Sequence, residues 1–337
     1  QTIFRFLDFN FLTFARAYSL KSFKLFYIVH SKSKLNIYCF TILVIGQVGN
    51  PVFHATFTKT GGPKFALPKT VDEAQAMDYT EYEGTWDSDE DFDRLVHHYA
   101  HGLDHQYRFV SPELDKILIF DINQNIAGMH SIFPVSAGTE NPCIFNYDKS
   151  GWYRRTFIDD VDYYMTTAYF MNPYEVSMKG RTTEEVDSET VRQLFFQVND
   201  HFVEAPMTMT SDEDGKDGWY FQSCFPGMGY HYDHFDPKDA STLSCDDVPP
   251  VRLIYHDEVL HDFQWLHIFK FMEVIPEGTT LQDWLLVNPW EPLSEATVTA
   301  FLNPPPTCLL GEDGLIQKVG LNGQHVYIRD WTNIGCP

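Results

Sequence analysis

The chain reads as a β-rich α+β protein, a sandwich or barrel with peripheral helices. Three observations predict this class. Short runs rich in β-branched and aromatic residues follow one another through the last third, separated by Gly, Pro and Asp. Two apolar runs, ILIFD at 117–121 and IAGMHSIFP at 126–134, flank an Asn-bearing turn at 122–125, the pattern of a β-hairpin. The sequence shows no alternation of long strands with helices, no repeat of about 20–50 residues and no heptads.

In chain order, residues 51–80 read as loops and short strands, broken by Gly61, Gly62, Pro63 and Pro68. The acidic stretch DSDEDFD at 87–93 suits a helix N-terminus, because carboxylates complement its partial positive charge. That helix continues through RLVHHYAHGLDHQY and is weakened at Gly102. Residues 182–200 mix helix and strand signals, and SDEDGKDG at 211–218 is a polar loop. Further strands are expected at 219–225, 251–255, 265–273 and 325–329. Pro304, Pro305 and Pro306 form a stiff connector before Cys308.

The first methionine is Met77, so the true start of the reading frame is expected to be missing or misread. Residues 1–50 form a leader region. Its apolar core, LNIYCFTILVIG at 35–46, follows Lys32 and Lys34 and ends near Gly46 and Gly49. This basic, apolar, small-residue order is that of a signal peptide, with a buried strand as the alternative. Residues 51–337 follow as an acidic globular domain, one unit or two packed halves. No later run is comparably apolar, so no membrane contact is expected after leader removal.

Charge narrows the partners. Six of the 24 basic residues and one of the 47 acids fall in residues 1–50, leaving a net charge of −28 on residues 51–337. Such a surface repels nucleic acid and anionic membranes, which need Lys and Arg to neutralise phosphate. The 44% hydrophobic and 16% aromatic content is nevertheless enough for a packed core. Beyond Cys39 of the leader, five cysteines remain, which in a secreted protein points to two bridges and one further thiol. Closing local loops favours Cys224–Cys245 and Cys308–Cys336, leaving Cys143, although spacing alone does not fix connectivity. No N-x-[ST] sequon and no CxxC pair occur.

Several chemistries are disfavoured. GMGYHY lacks the third glycine of a dinucleotide fingerprint, and there is no Walker loop, G-x-S-x-G elbow or H-E-x-x-H. His256 and His261 stand five apart, wrong for two ligands on one helical face. SDEDGKDG has Lys216 where a calcium loop wants an acid.

Three constellations remain. In GMGYHYDHF at 227–235, His231, Asp233 and His234 follow two permissive glycines. In a strand, His231 and Asp233 share a face, so they could supply two arms of an iron-type facial triad with His256, His261, His267 or His325. The plainer alternative is an aromatic strand whose polar groups meet ordinary hydrogen-bond partners. His97, His101 and His105 fall on one face of the expected helix, more often a solvated face than a metal site. Finally, Trp219, Phe221, Tyr230 and Tyr232 crowd around Cys224. They read as core, or as the wall of a pocket for a planar, conjugated small molecule.

The order WYFQSCFPGMGYHY, PVRLIYH, PPPTCLL and QHVYIRDW with a final Cys336, preceded by IFDINQNIAGMHSIFP, resembles the luciferases of syllid fireworms. The resemblance implies a secreted, extracellular oxidoreductase of monooxygenase type that oxidises a small heterocyclic luciferin with molecular oxygen to emit light. No cofactor beyond oxygen is expected, a divalent cation being the optional addition. Such bioluminescence needs a dry pocket and a base to deprotonate the substrate, for which His231 or His234 is the expected residue, with Asp233 beside them. The alternatives are a non-catalytic carrier of an aromatic or hydrophobic ligand and a non-haem metal oxygenase.

Overall fold

The computed structural model describes residues 66–82 and most of 107–329, together with Cys336. Within that span it leaves out 113–114, 140, 142–143, 189–190, 211–213, 226–227, 276–277 and 279–289. For β1 (Ser22–Ser31), β2 (Lys34–Leu43) and β3 (His54–Thr56) it describes the backbone. Residues 1–50 form one compact unit and residues 51–337 another. In the first, β1 and β2 pair as an antiparallel hairpin, so most of the apolar run 35–46 lies on a strand. The expected helix through His97, His101 and His105, and Cys143, lie outside the described residues.

The second unit is a β-rich α+β fold of two sheets with a few short helices, sandwich-like and without a closed barrel. The first sheet holds β4 (Thr80–Glu81), β5 (Tyr107–Val110), β6 (Lys116–Phe120), β7 (Ile126–Pro134), β8 (Arg154–Ile158), β9 (Val161–Tyr169), β10 (Leu194–Val198) and β11 (His201–Ala205). Its order is β11-β10-β9-β7-β6-β5-β4, with β8 also on β9. The second sheet holds β12 (Tyr220–Phe225), β13 (Gly229–Asp233), β14 (Val251–His256), β15 (Val259–Ile268), β16 (Glu291–Leu293) and β17 (Leu321–Tyr327). These run β12-β13-β14-β15-β17-β16, all antiparallel, and β3 joins β17 in parallel.

Acidic residues make several of the turns. The expected hairpin is β6–β7, closed by the Asp121 carboxylate, which accepts from the backbone N–H of Asn123 at 2.9 Å and of Asn125 at 3.0 Å. Between β8 and β9, Asp159 and Asp160 have φ of 49° and 65°; between β14 and β15, Asp257 and Glu258 have 48° and 64°. Two successive positive φ values match the right-handed twist of the flanking strands, and the short side chain of Asp tolerates that conformation. Part of the negative charge therefore serves turn chemistry.

Strict alternation along the strands gives each sheet an inner face, and the two inner faces pack together. Phe133 stacks on Phe269 with centroids 4.9 Å apart, and Phe196 meets Trp265 edge-on at 5.5 Å. Polar pairs are embedded there: Ser131 donates to Gln324 Oε1 at 3.0 Å, and Thr166 Oγ1 lies 3.2 Å from His267 Nε2. His267 is fully buried among Phe133, Tyr153 and Trp290, and burial pushes its pKa down to about 3.

That core histidine carries a pH signature. Between pH 6.5 and about 3 the unfolded chain binds a proton at His267 that the folded protein refuses, so stability falls as the pH drops through that window. The slope from one such group approaches about 1.4 kcal/mol per pH unit. His267→Phe is expected to lose less stability than the parent on acidification. Urea midpoints at pH 7 and pH 4.5 test this, and parallel losses in the two proteins would contradict it.

Candidate functional site

The outer face of the second sheet is the unusual one. Cross-strand register aligns Asp233, Arg252, Gln264 and His325 in one row over four strands. His231, Ile254, Asp262 and Tyr327 form the neighbouring row on the same face. An outward face would ordinarily be wet, yet every one of these side chains is buried. The helix Glu295–Phe301 and the chain after it cover one end of the face. Ser223 Oγ donates to the Phe301 carbonyl at 2.5 Å, and the Phe301 ring stacks on His231 at 5.2 Å.

Between this cover and the sheet lies a narrow cleft that opens to solvent. Its floor is Leu266, Ile268 and Leu321, and Val298, Phe301 and Leu302 form the roof. Val248 and Pro249 close one side and Leu309 another. These two sides are tied by the Cys245–Cys308 bridge, since each half-cystine lies within a few residues of its wall. The polar lining is Asp233 and Arg252. Arg252 Nε and Nη2 donate to the two Asp233 oxygens at 2.9 and 3.1 Å, a bidentate pair shielded from water. Burial pushes the Asp233 carboxyl upward, and the guanidinium opposes that shift. The Arg252 guanidinium also lies over the Phe301 ring at 5.4 Å.

His231 stands beside this pair, fully buried. Its Nδ1 is 3.0 Å from the Gly229 carbonyl, which can only accept, so Nδ1 carries the proton. Burial, reinforced by the positive field of Arg252, holds the ring well below its ordinary pKa, so it is neutral. His234 follows the strand and lies apart, its ring edge-on to Trp219 at 5.0 Å and Trp152 at 6.1 Å. Its close approach to Gly218, φ 82°, leaves no room there for a Cβ. Burial lowers its pKa as well.

The aromatic residues expected around the same site are divided by strand alternation. Tyr230 and Tyr232 point to the opposite face of β13 from His231 and Asp233, and Phe221 packs on both at 6.1 and 5.6 Å. Trp219 is core, against Phe196 at 6.0 Å, with Nε1 donating to the Glu204 carbonyl. None of the four lines the cleft. The cleft is mostly aliphatic instead, with Phe235 and Phe301 as its aromatic members, and is built from residues far apart in sequence.

The four expected half-cystines are bridged, but crosswise to the local pairing. The bonds are Cys224–Cys336 and Cys245–Cys308, not Cys224–Cys245 and Cys308–Cys336. Cys224 lies on β12, opposite Tyr230, whereas Cys245 comes after the chain has left the sheet. Closure entropy rises only slowly with loop length, so shorter loops had little advantage. Among the described residues, no three His, Cys, Asp or Glu side chains come together as metal ligands. The facial triad does not assemble there, because Asp233 is engaged by Arg252. No helix among them is long and apolar enough to cross a membrane. The chain matches no family model, no curated protein and no solved structure.

Proposed function

We propose that this is a secreted protein that binds a small apolar molecule in the cleft beneath the helix Glu295–Phe301. One observation carries the reading: a concave aliphatic wall whose charged groups, Asp233 and Arg252, already neutralise each other. Pockets for small molecules combine such apolar walls with a few fixed polar groups. The two bridges and the acidic surface fit an extracellular setting.

Binding is tested with N-phenyl-1-naphthylamine, an uncharged dye that brightens in apolar sites. The parent is expected to bind one equivalent, and Leu302→Trp, which fills the roof, to weaken binding at least about tenfold. Overpacking costs about 1–3 kcal/mol, so melting curves confirm that the variant is folded. Equal binding by both folded proteins removes the cleft as the site.

Oxygen-dependent oxidation of the bound molecule with light emission, as the resemblance to syllid fireworm luciferases implies, is the second reading. His231 supports it by position: its ring stacks behind the cleft-lining Phe301, with Nε2 unpartnered as the nitrogen that would take a proton. His231→Gln is expected to lower turnover about 100-fold while leaving dye binding intact. Photometry after mixing with an oxygenated extract of luminous slime tests this, with and without chelator. Darkness with the parent leaves the carrier, and loss of light on chelation points to a metal oxygenase.

A further inference from the structure

The polar lining of the cleft is Asp233 and Arg252, and Arg252 is the lining side chain that donates hydrogen bonds. A guanidinium carries five N–H groups. Asp233 takes one from Nε and one from Nη2, which leaves both N–H groups of Nη1 unused. Nη1 bonds to no described residue. It is also not among the side-chain atoms sealed away without a partner, so it meets the open space that Arg252 lines.

This donor is held in place. Two parallel bonds to Asp233 at 2.9 and 3.1 Å fix the plane of the guanidinium. Phe301, part of the cleft roof, lies over it with the ring centroid 5.4 Å from Cζ. A donor fixed beforehand loses little freedom when an acceptor arrives.

The setting selects the acceptor. An apolar molecule with a carbonyl group loses that oxygen's water on entering an aliphatic cleft, and Nη1 replaces the lost hydrogen bond. A carboxylate fits less well. Asp233 already neutralises Arg252, so an anion would stand as a second negative charge on one guanidinium, away from water.

We propose that the cleft takes an uncharged apolar molecule bearing a carbonyl group, as in a ketone, aldehyde or ester, whose oxygen accepts from Arg252 Nη1. This specificity rests on the cleft being the binding site.

The test displaces the naphthylamine dye with three probes: 2-acetylnaphthalene, 2-isopropenylnaphthalene and 2-naphthoate. The first two share a shape and differ in C=O against C=CH₂. The parent is expected to bind the ketone about tenfold or more tightly than the alkene, and more tightly than the carboxylate. Asp233→Leu with Arg252→Met, which keeps the site dry without stranding a charge, is expected to abolish the preference for the ketone. The infrared carbonyl stretch of the bound ketone reads the same bond without a variant. It should lie below its hexane position in the parent and near that position in the double variant. Equal binding of ketone and alkene by the parent, or a parent stretch at the hexane position, overturns the proposal. So does a preference that persists in the folded double variant, or tighter binding of the carboxylate than of the ketone. If the dye and all three probes fail to bind the parent, the cleft itself is refuted, an outcome distinct from loss of discrimination alone.

Discussion

Arg252→Met is expected to destabilise the fold by about 3–5 kcal/mol, because it leaves the Asp233 carboxylate buried without its partner. Few single changes cost as much as stranding a charge, and both partners here are almost completely shielded from water. The loss includes the guanidinium's contact with the Phe301 ring. Removing both charges has a different consequence. Asp233→Leu with Arg252→Met replaces an ion pair by apolar groups, a change that is often neutral or favourable in a dry site. The double variant is therefore expected to recover most of the stability lost by the single one. Urea denaturation with a full cycle of both singles and the double measures this. Additive losses would mean that the two side chains do not depend on each other.

Removal of the Cys245–Cys308 bridge is expected to affect stability and binding together. The bond closes a long loop and contributes about 2–4 kcal/mol. It also ties the Val248–Pro249 side of the cleft to the Leu309 side. Cys245→Ser with Cys308→Ser should lower the melting temperature and weaken dye binding. Cys224→Ser with Cys336→Ser should cost comparable stability and leave binding nearly unchanged, because that bond anchors β12 and lines no wall. Proteolysis of the unreduced parent must also yield a peptide joining Cys224 to Cys336. Recovery of Cys224 joined to Cys245 would overturn the crossed topology. Equal effects of the two double variants on dye binding would show that the bridge does not shape the cleft.

The sequence carried some of this structure and hid the rest for physical reasons. The β6–β7 hairpin was legible because its apolar runs and Asn-rich turn are local, and so were β12 and β14. The spacing of His256 and His261 is wrong for two ligands on one helical face, and Asp257 and Glu258 between them form a two-residue hairpin turn. Reading that turn moves the following strand to Val259–Ile268, earlier than the expected 265–273. Residues 182–200 signalled both helix and strand because they contain both, Thr183–Ser188 and Leu194–Val198. The loop SDEDGKDG ends in a short 3₁₀ turn at Lys216–Gly218.

At the site, His231 and Asp233 do share a strand face, as their spacing requires. Their partner Arg252 was unforeseeable without strand register, and the neighbouring aromatics were assigned to the same pocket despite alternating with them. The cleft was the least legible feature. It draws on single aliphatic residues between 248 and 321 that resemble ordinary core until the sheet order brings them together.

The central claim is that the cleft is a binding site for a small apolar molecule. Methyl-resolved NMR of the Leu, Ile and Val side chains during titration with N-phenyl-1-naphthylamine tests it most directly. Saturable shifts should concentrate on Leu266, Ile268, Leu293, Val298, Leu302 and Leu321, with the inter-sheet methyls of Leu253 and Val326 nearly still. Shifts scattered over the surface, or confined to methyls away from the cleft, would contradict it.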